Sequence, residues 1–192
     1  MPNPTQENMM AQQPLTQEQI RNFVLPAHGN LEVVQQLLAE EPRLLNEKYL
    51  EFDETALEAA SHVGNRAIAQ FLLDQGAPMN IYTAAMFGLQ AEVAAFLDQD
   101  PKLVNGNGVH GISLLFHAAL SGNVEQAEML AQRGNNQNPD QPLLAAAMYG
   151  RTAMAKWLLE RGADKTAKNF RDQTALDIAQ LNEDQALIEL LS

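Results

Sequence analysis

Five glycines recur along the 192 residues, each standing between an alanine-rich stretch and a second apolar stretch. Gly29, Gly64, Gly88, Gly122 and Gly150 are separated by 35, 24, 34 and 28 residues, and three of them read Gly-Asn. A period of this size marks one supersecondary unit repeated along the chain, and it constrains the fold more than any local signal. After each glycine the apolar residues return at helical spacing: Val33, Val34, Leu37 and Leu38, then Ile68, Ala69, Leu72 and Leu73. Looser versions follow in Val93, Phe96 and Leu97, in Ala127, Leu130 and Ala131, and in Met154, Ala155, Leu158 and Leu159. Such spacing predicts one buried face of an amphipathic helix. A shorter helix precedes each glycine, as in the run from Thr55 to Gly64, and its alanines give a slim face that a neighbour can approach closely. Each unit is therefore expected to be a helix pair turning at glycine, the residue that most readily adopts left-handed backbone.

The pattern resembles the ankyrin repeat, whose motif runs T-P-L-H-x-A-A-x-x-G and then V-x-x-L-L-x-x-G-A. Thr55-Ala56-Leu57, Ala59-Ala60 and Gly64 match it, followed by Ile68, Leu72-Leu73 and Gly76-Ala77. It recurs in Pro142-Leu143, Ala145-Ala146 and Gly150, then Leu158-Leu159 and Gly162-Ala163, and a last copy opens at Thr174-Ala175-Leu176 and closes with Leu187, Leu190 and Leu191. The resemblance covers about residues 15 to 192. It implies an all-α solenoid of helix-turn-helix units at about 15–46, 47–80, 81–105, 106–136, 137–165 and 166–192, behind a flexible tail over 1–14.

Two departures from the family pattern are visible. The usual first-helix histidine is replaced by Glu58, Tyr82, Phe116 and Leu144. The finger loops also alternate: full fingers are expected at 47–54, 105–112 and 166–173, while Asn80-Ile81-Tyr82 runs straight into the next helix. The 24-residue step from Gly64 to Gly88 is thus about nine residues short of the usual ~33. The missing finger is expected to open a gap over Met86 and Phe87.

Twelve Lys and Arg stand against 24 Asp and Glu, a formal net charge of −12. That balance argues against nucleic acid and anionic membrane, whose phosphates are bound by cationic side chains. The absence of cysteine excludes disulfides, thiolate zinc sites and cysteine nucleophiles. The first residues lack the basic start and apolar run of a signal peptide, and no apolar run reaches the ~20 residues of a membrane span. A cytoplasmic, monomeric protein is the expectation. Thr16 and Gln19 read as a capping box opening the first helix, with Pro26 near its end.

Stacked units leave a concave surface of fingers and first helices, and such surfaces bind other proteins. The expected contact stripe is Val63, Met86, Phe87, Leu120, Met148 and Tyr149, with Phe52, His110 and Arg171 on the finger rim; Met and aromatic side chains favour interface cores. No catalysis, cofactor or metal is expected of this reading. The alternative is a small-molecule or enzymatic pocket over the missing finger, built from Glu58, His62, His110 and His117. Glu58 and His62 lie four apart on one helix and could pair as carboxylate and imidazole. His117 occupies a position where the family buries leucine, so it is read as buried and hydrogen-bonded or as facing the gap. Glu54 could join His62 and His110 across the groove as oxygen and nitrogen donors. Gly106, Gly108 and Gly111 spell a nucleotide-binding fingerprint, but no strand precedes them and the repeat register accounts for them as a finger tip. Trp157 and Phe71 fall at matching positions and read as packing between units.

Overall fold

The structure, a computed structural model, describes residues 13–192. Most of the expected tail, residues 1–12, lies outside the described residues. Helices α1 (Gln17–Val24) and α2 (Leu31–Glu40) form the first pair, joined by a 3₁₀ turn, Leu25–His28. Four further pairs follow: α3 (Ala56–His62) with α4 (Arg66–Asp74), α5 (Ile81–Phe87) with α6 (Gln90–Gln99), α7 (Leu114–Ser121) with α8 (Val124–Gln132), and α9 (Asp140–Met148) with α10 (Thr152–Leu159). Helices α11 (Ala175–Leu181) and α12 (Gln185–Leu191) close the array. The three fingers are where the spacing puts them. The first is a hairpin of β1 (Lys48–Tyr49) and β2 (Glu54–Thr55), and the others are pinched by single bridges, Asn107 to Ser113 and Lys168 to Thr174.

The Gly-Asn pairs have a two-part job. Gly64 and Gly122 take left-handed φ values of +68° and +76°, and Asn65 and Asn123 then cap α4 and α8 by accepting the N–H of Ile68 and Gln126. Asn30 caps α2 likewise, but Gly29 has an extended φ of −173°, because the Pro26-containing 3₁₀ turn already reverses the chain there. Leu89 and Arg151 stand in the asparagine position of the two short-fingered units and make no side-chain cap. Thr16 and Gln19 form the expected capping box, and Thr55 with Glu58 and Thr174 with Asp177 form two more.

First helices pack in series, α3 on α5, α5 on α7, α7 on α9 and α9 on α11, through alanines at zero exposure such as Ala59, Ala84, Ala118 and Ala145. Unpaired carbonyls at first-helix ends are taken up by other units. Arg66 donates to Met86, Asn123 to Gly88, Arg151 to Leu120 and Asn182 to Met148. One such bond skips neighbours altogether: the Tyr149 hydroxyl donates to the carbonyl of Val63, 86 residues earlier. Its ring lies so close that a Cβ on Gly64 would sit 2.9 Å from it. The array is therefore bent until its second and fifth units touch.

The gap expected over Met86 and Phe87 is filled. Tyr82, where a finger is missing, packs under the next finger, and a Cβ on Gly106 or Gly108 would approach it to 2.8 or 3.2 Å. Met86 is 1% exposed and Phe87 is half-buried beneath the Arg66 guanidinium. Trp157 is buried, donates to Glu128 and carries Arg161 3.7 Å above its ring, a contact between units as expected. Phe71 packs against the core.

Candidate functional site

A groove of about 1140 Å³ runs along the concave side from His62 and Val63 to Leu181 and Asn182. Its floor is apolar, with Phe116, Leu120, Leu144 and Met148 from successive first helices. Its walls are finger and loop residues rich in carboxamides: Asn105, Asn107, Asn136, Gln137, Asn138, Gln141, Asn169, Gln173 and Asn182. Arg171, His62 and His110 are the lining residues that carry or can take up a positive charge.

Of the expected stripe and rim, Val63, Leu120, Met148, Tyr149, His110 and Arg171 line this groove. Met148 is exposed, while Leu120 is a nearly buried floor residue. Met86 and Phe87 do not line it, because the stack closes over Met86 and Arg66 covers Phe87. Phe52 lies outside the groove, half-exposed at the first finger and edge-on to Tyr49 and His110. Two exposed groove residues were missed, Leu181 at 69% and Phe170 at 89%. Phe170 stands beside Arg171 at a finger tip, which was the available signal; Leu181 ends the last first helix, the counterpart of Met148.

The histidines assemble only in part as the sequence suggests: His62 and His110 meet at Glu54, while His117 and Glu58 stand apart. His117 is buried on α7, donates Nδ1–H to the Ser113 carbonyl at 2.9 Å and packs against Tyr82. Burial pushes its pKa down to about 4, so it is neutral at physiological pH. It takes no part in the groove, because the Tyr82 side chain occupies the space where the missing finger would have exposed it. Glu58 is consumed by its capping box, accepting from the Thr55 N–H and hydroxyl, both at 2.9 Å, and does not pair with His62.

The partner of His62 is Glu54. This carboxylate, at the start of β2, has zero exposure and receives three imidazoles: His62 Nε2 at 3.2 Å and His110 Nε2 at 3.1 Å on Oε2, and His28 Nε2 at 3.6 Å from Oε1. Burial pushes the Glu54 carboxyl up, but the facing imidazoles of His62, His110 and His28 outweigh it and hold it below the usual carboxylate range. His28 and His62 bring their Nε2 atoms to 3.1 Å. His110 reaches the carboxylate from a backbone with φ of +56°, a conformation that non-glycine residues adopt seldom and at a cost. Glu54 meets His62 and His110 as the sequence reading allowed, and His28 was the missed member. His28 precedes Gly29 much as His62 precedes Gly64, the one trace of the cluster in the repeat register.

Comparison with known proteins agrees with the helix pairs. The model for three copies of the ankyrin repeat matches residues 81–169, and the single-repeat model matches 52–84. Among curated proteins, the chain is 26% identical over 171 residues to the yeast (Saccharomyces cerevisiae) target of rapamycin complex 2 subunit AVO2, covering 79% of this chain and 40% of that protein. It is 29% identical over 124 residues to the rat (Rattus norvegicus) ankyrin repeat and SAM domain-containing protein 6, covering 59% of this chain and 14% of the relative. The chain thus spans less than half the length of either relative. With helix pairs stacked through alanine faces, glycine turns at the repeat period, and two matches that together span more than half of its length, the chain belongs to the ankyrin repeat family.

Proposed function

We propose that the chain is a non-catalytic protein-interaction module that takes an extended segment of a partner protein into the concave groove. The observation that supports this most is the pairing of an apolar floor with carboxamide walls. An extended peptide presents alternating N–H and C=O groups, and a carboxamide offers two donors and an acceptor oxygen, so those engaged with a neighbouring unit keep capacity for a ligand. Met148 at 46% and Leu181 at 69% exposure give two apolar contacts along the floor, and Phe170 at a finger tip offers a third. Family membership supports a protein partner, and the yeast relative is by name a subunit of a complex.

The test uses two exposed floor positions whose change spares the core. Wild type and a Met148→Glu/Leu181→Glu double variant are compared in affinity capture, and a peptide from the captured protein is then titrated against both by calorimetry. Binding to the wild type, reduced at least about tenfold (~1.4 kcal/mol) in a variant of unchanged circular dichroism, is the expected outcome. Equal binding by both proteins overturns the groove as the interface, and the absence of any differentially captured protein moves the groove to a small ligand.

A further inference from the structure

Three of the four histidines of the chain converge on one buried carboxylate, from three separate units of the array. We propose that His28 Nε2, His62 Nε2 and the Glu54 carboxylate form a binding site for a divalent transition-metal ion of the zinc class, with His110 positioning the carboxylate. This departs from the expectation of no metal drawn from the sequence, and it is independent of what fills the groove.

The first support is a shortage of hydrogen. The Leu25 carbonyl can only accept, so the His28 Nδ1 that lies 3.0 Å from it must carry the proton, and in the neutral ring Nε2 is left as a bare lone pair. Glu54 Oε1, buried and 3.6 Å away, has no hydrogen-bond partner among the described residues. The Nε2 proton of His62 can serve either His28 or Glu54, not both well, and that of His110 is spent on Oε2. One His62 proton is therefore shared between His28 Nε2 and the Glu54 carboxylate, and buried Glu54 Oε1 has no donor, a costly arrangement that a cation resolves.

The second support is metrical. Ligands about 2.0–2.1 Å from a tetrahedral ion lie about 3.4 Å from one another. The corresponding separations here are 3.1 Å for His28 to His62, 3.2 Å for His62 to Glu54 and 3.6 Å for His28 to Glu54. Donor atoms of these three residues all fall within 4.8 Å of one another. The surroundings also fit: a ligating imidazole ordinarily donates its other N–H to a carbonyl, as His28 does to Leu25, and a ligating carboxylate is itself hydrogen-bonded, as Glu54 is by His110. The strained backbone of His110 is then the cost of that placement. Two imidazoles and one carboxylate, in a chain with no cysteine, suit zinc and its first-row neighbours better than magnesium or calcium. Three protein ligands leave coordination open, and His62 and His110 stand in the groove wall, so a Lewis-basic group at that end of the groove could complete it.

The test is Zn²⁺ titration of the full chain after chelator treatment, read by calorimetry. One strong site is expected in the wild type. Glu54→Gln and His62→Ala should each weaken it by at least ~100-fold, and His110→Asn by about 10- to 100-fold, the usual effect of removing a group that orients a ligand. His117→Leu should leave it unchanged. X-ray absorption of the wild type with one equivalent of Zn²⁺ needs no variant, so it decides the matter even where a substitution prevents folding: two imidazoles in the shell support the site. A shell of oxygen alone, undiminished binding in Glu54→Gln, or no Zn²⁺ retained by the wild type each overturns it.

Discussion

At the residue scale, His117 and Glu54 are opposite solutions to burying an ionisable group. His117 gives up its charge: burial lowers its pKa to about 4, against a weak upward pull from the Ser113 carbonyl and a further lowering by His62. In the unfolded chain it titrates near ~6.5. Between those values the unfolded state binds more proton, so stability rises with pH; the contribution is complete above about pH 6.5 and is lost as pH falls towards 4. Its ceiling is about 3 kcal/mol. His117→Leu, which restores the residue the family uses, is expected to match or exceed wild-type stability at neutral pH. In urea melts across this window its pH slope should be shallower by up to one proton, and an unchanged slope would show that His117 is not the group responsible. Glu54 keeps its charge because imidazoles surround it. Sequence reasoning placed His117 in the core correctly as one of its two readings, since the repeat register marks that position as apolar. It offered Glu54 only as a donor that could join His62 and His110 and did not foresee its burial, because a carboxylate at the foot of a finger reads as solvent-exposed until His28, 26 residues before it, and His110, 56 residues after it, are brought around it.

At the element scale, the helix pairs, the first capping box and the finger alternation were legible, because they are set by residues close in sequence, while Glu58 was assigned to His62 rather than to its own cap. The capping boxes show this most directly. Thr174 donates its hydroxyl to Asp177 at 2.7 Å and accepts the Asp177 N–H at 3.2 Å, at the start of a seven-residue helix in the terminal unit. That hydrogen bond also holds the Asp177 carboxyl below its ordinary range. Thr174→Ala is expected to cost about 1 kcal/mol in chemical denaturation, and Thr174→Ser almost nothing; equal losses would assign the effect to something other than the hydroxyl. What short-range reasoning could not supply was the fate of a missing finger. Tyr82 fills that space because the next finger is built of glycines whose missing side chains admit a ring.

At the scale of the whole molecule, one crowded contact ties the second unit to the fifth. Gly64 and Gly76 both have left-handed φ values, +68° and +96°, but a Cβ at Gly76 meets nothing within 4 Å, whereas at Gly64 it meets the Tyr149 ring at 2.9 Å. Gly76→Ala should therefore report the backbone cost alone, about 1–2 kcal/mol, and Gly64→Ala should exceed it. In a double-mutant cycle with Tyr149→Ala the excess should disappear. An excess that survives the loss of the ring would place the strain elsewhere. Concavity was expected from the repeat pattern, but a curvature tight enough to join the second and fifth units was not readable from it, because the pattern describes each unit only against its immediate neighbours.

The tie between Tyr149 and Val63 also changes how such a chain comes apart. A string of units joined only to the next can fray from its ends, each losing protection at its own free energy. Here, melting the second unit releases the fifth, and the units between them lose support from both sides. Their amide hydrogens should exchange with solvent as one block rather than in graded order from the termini, so the array opens as a loop held by a clasp.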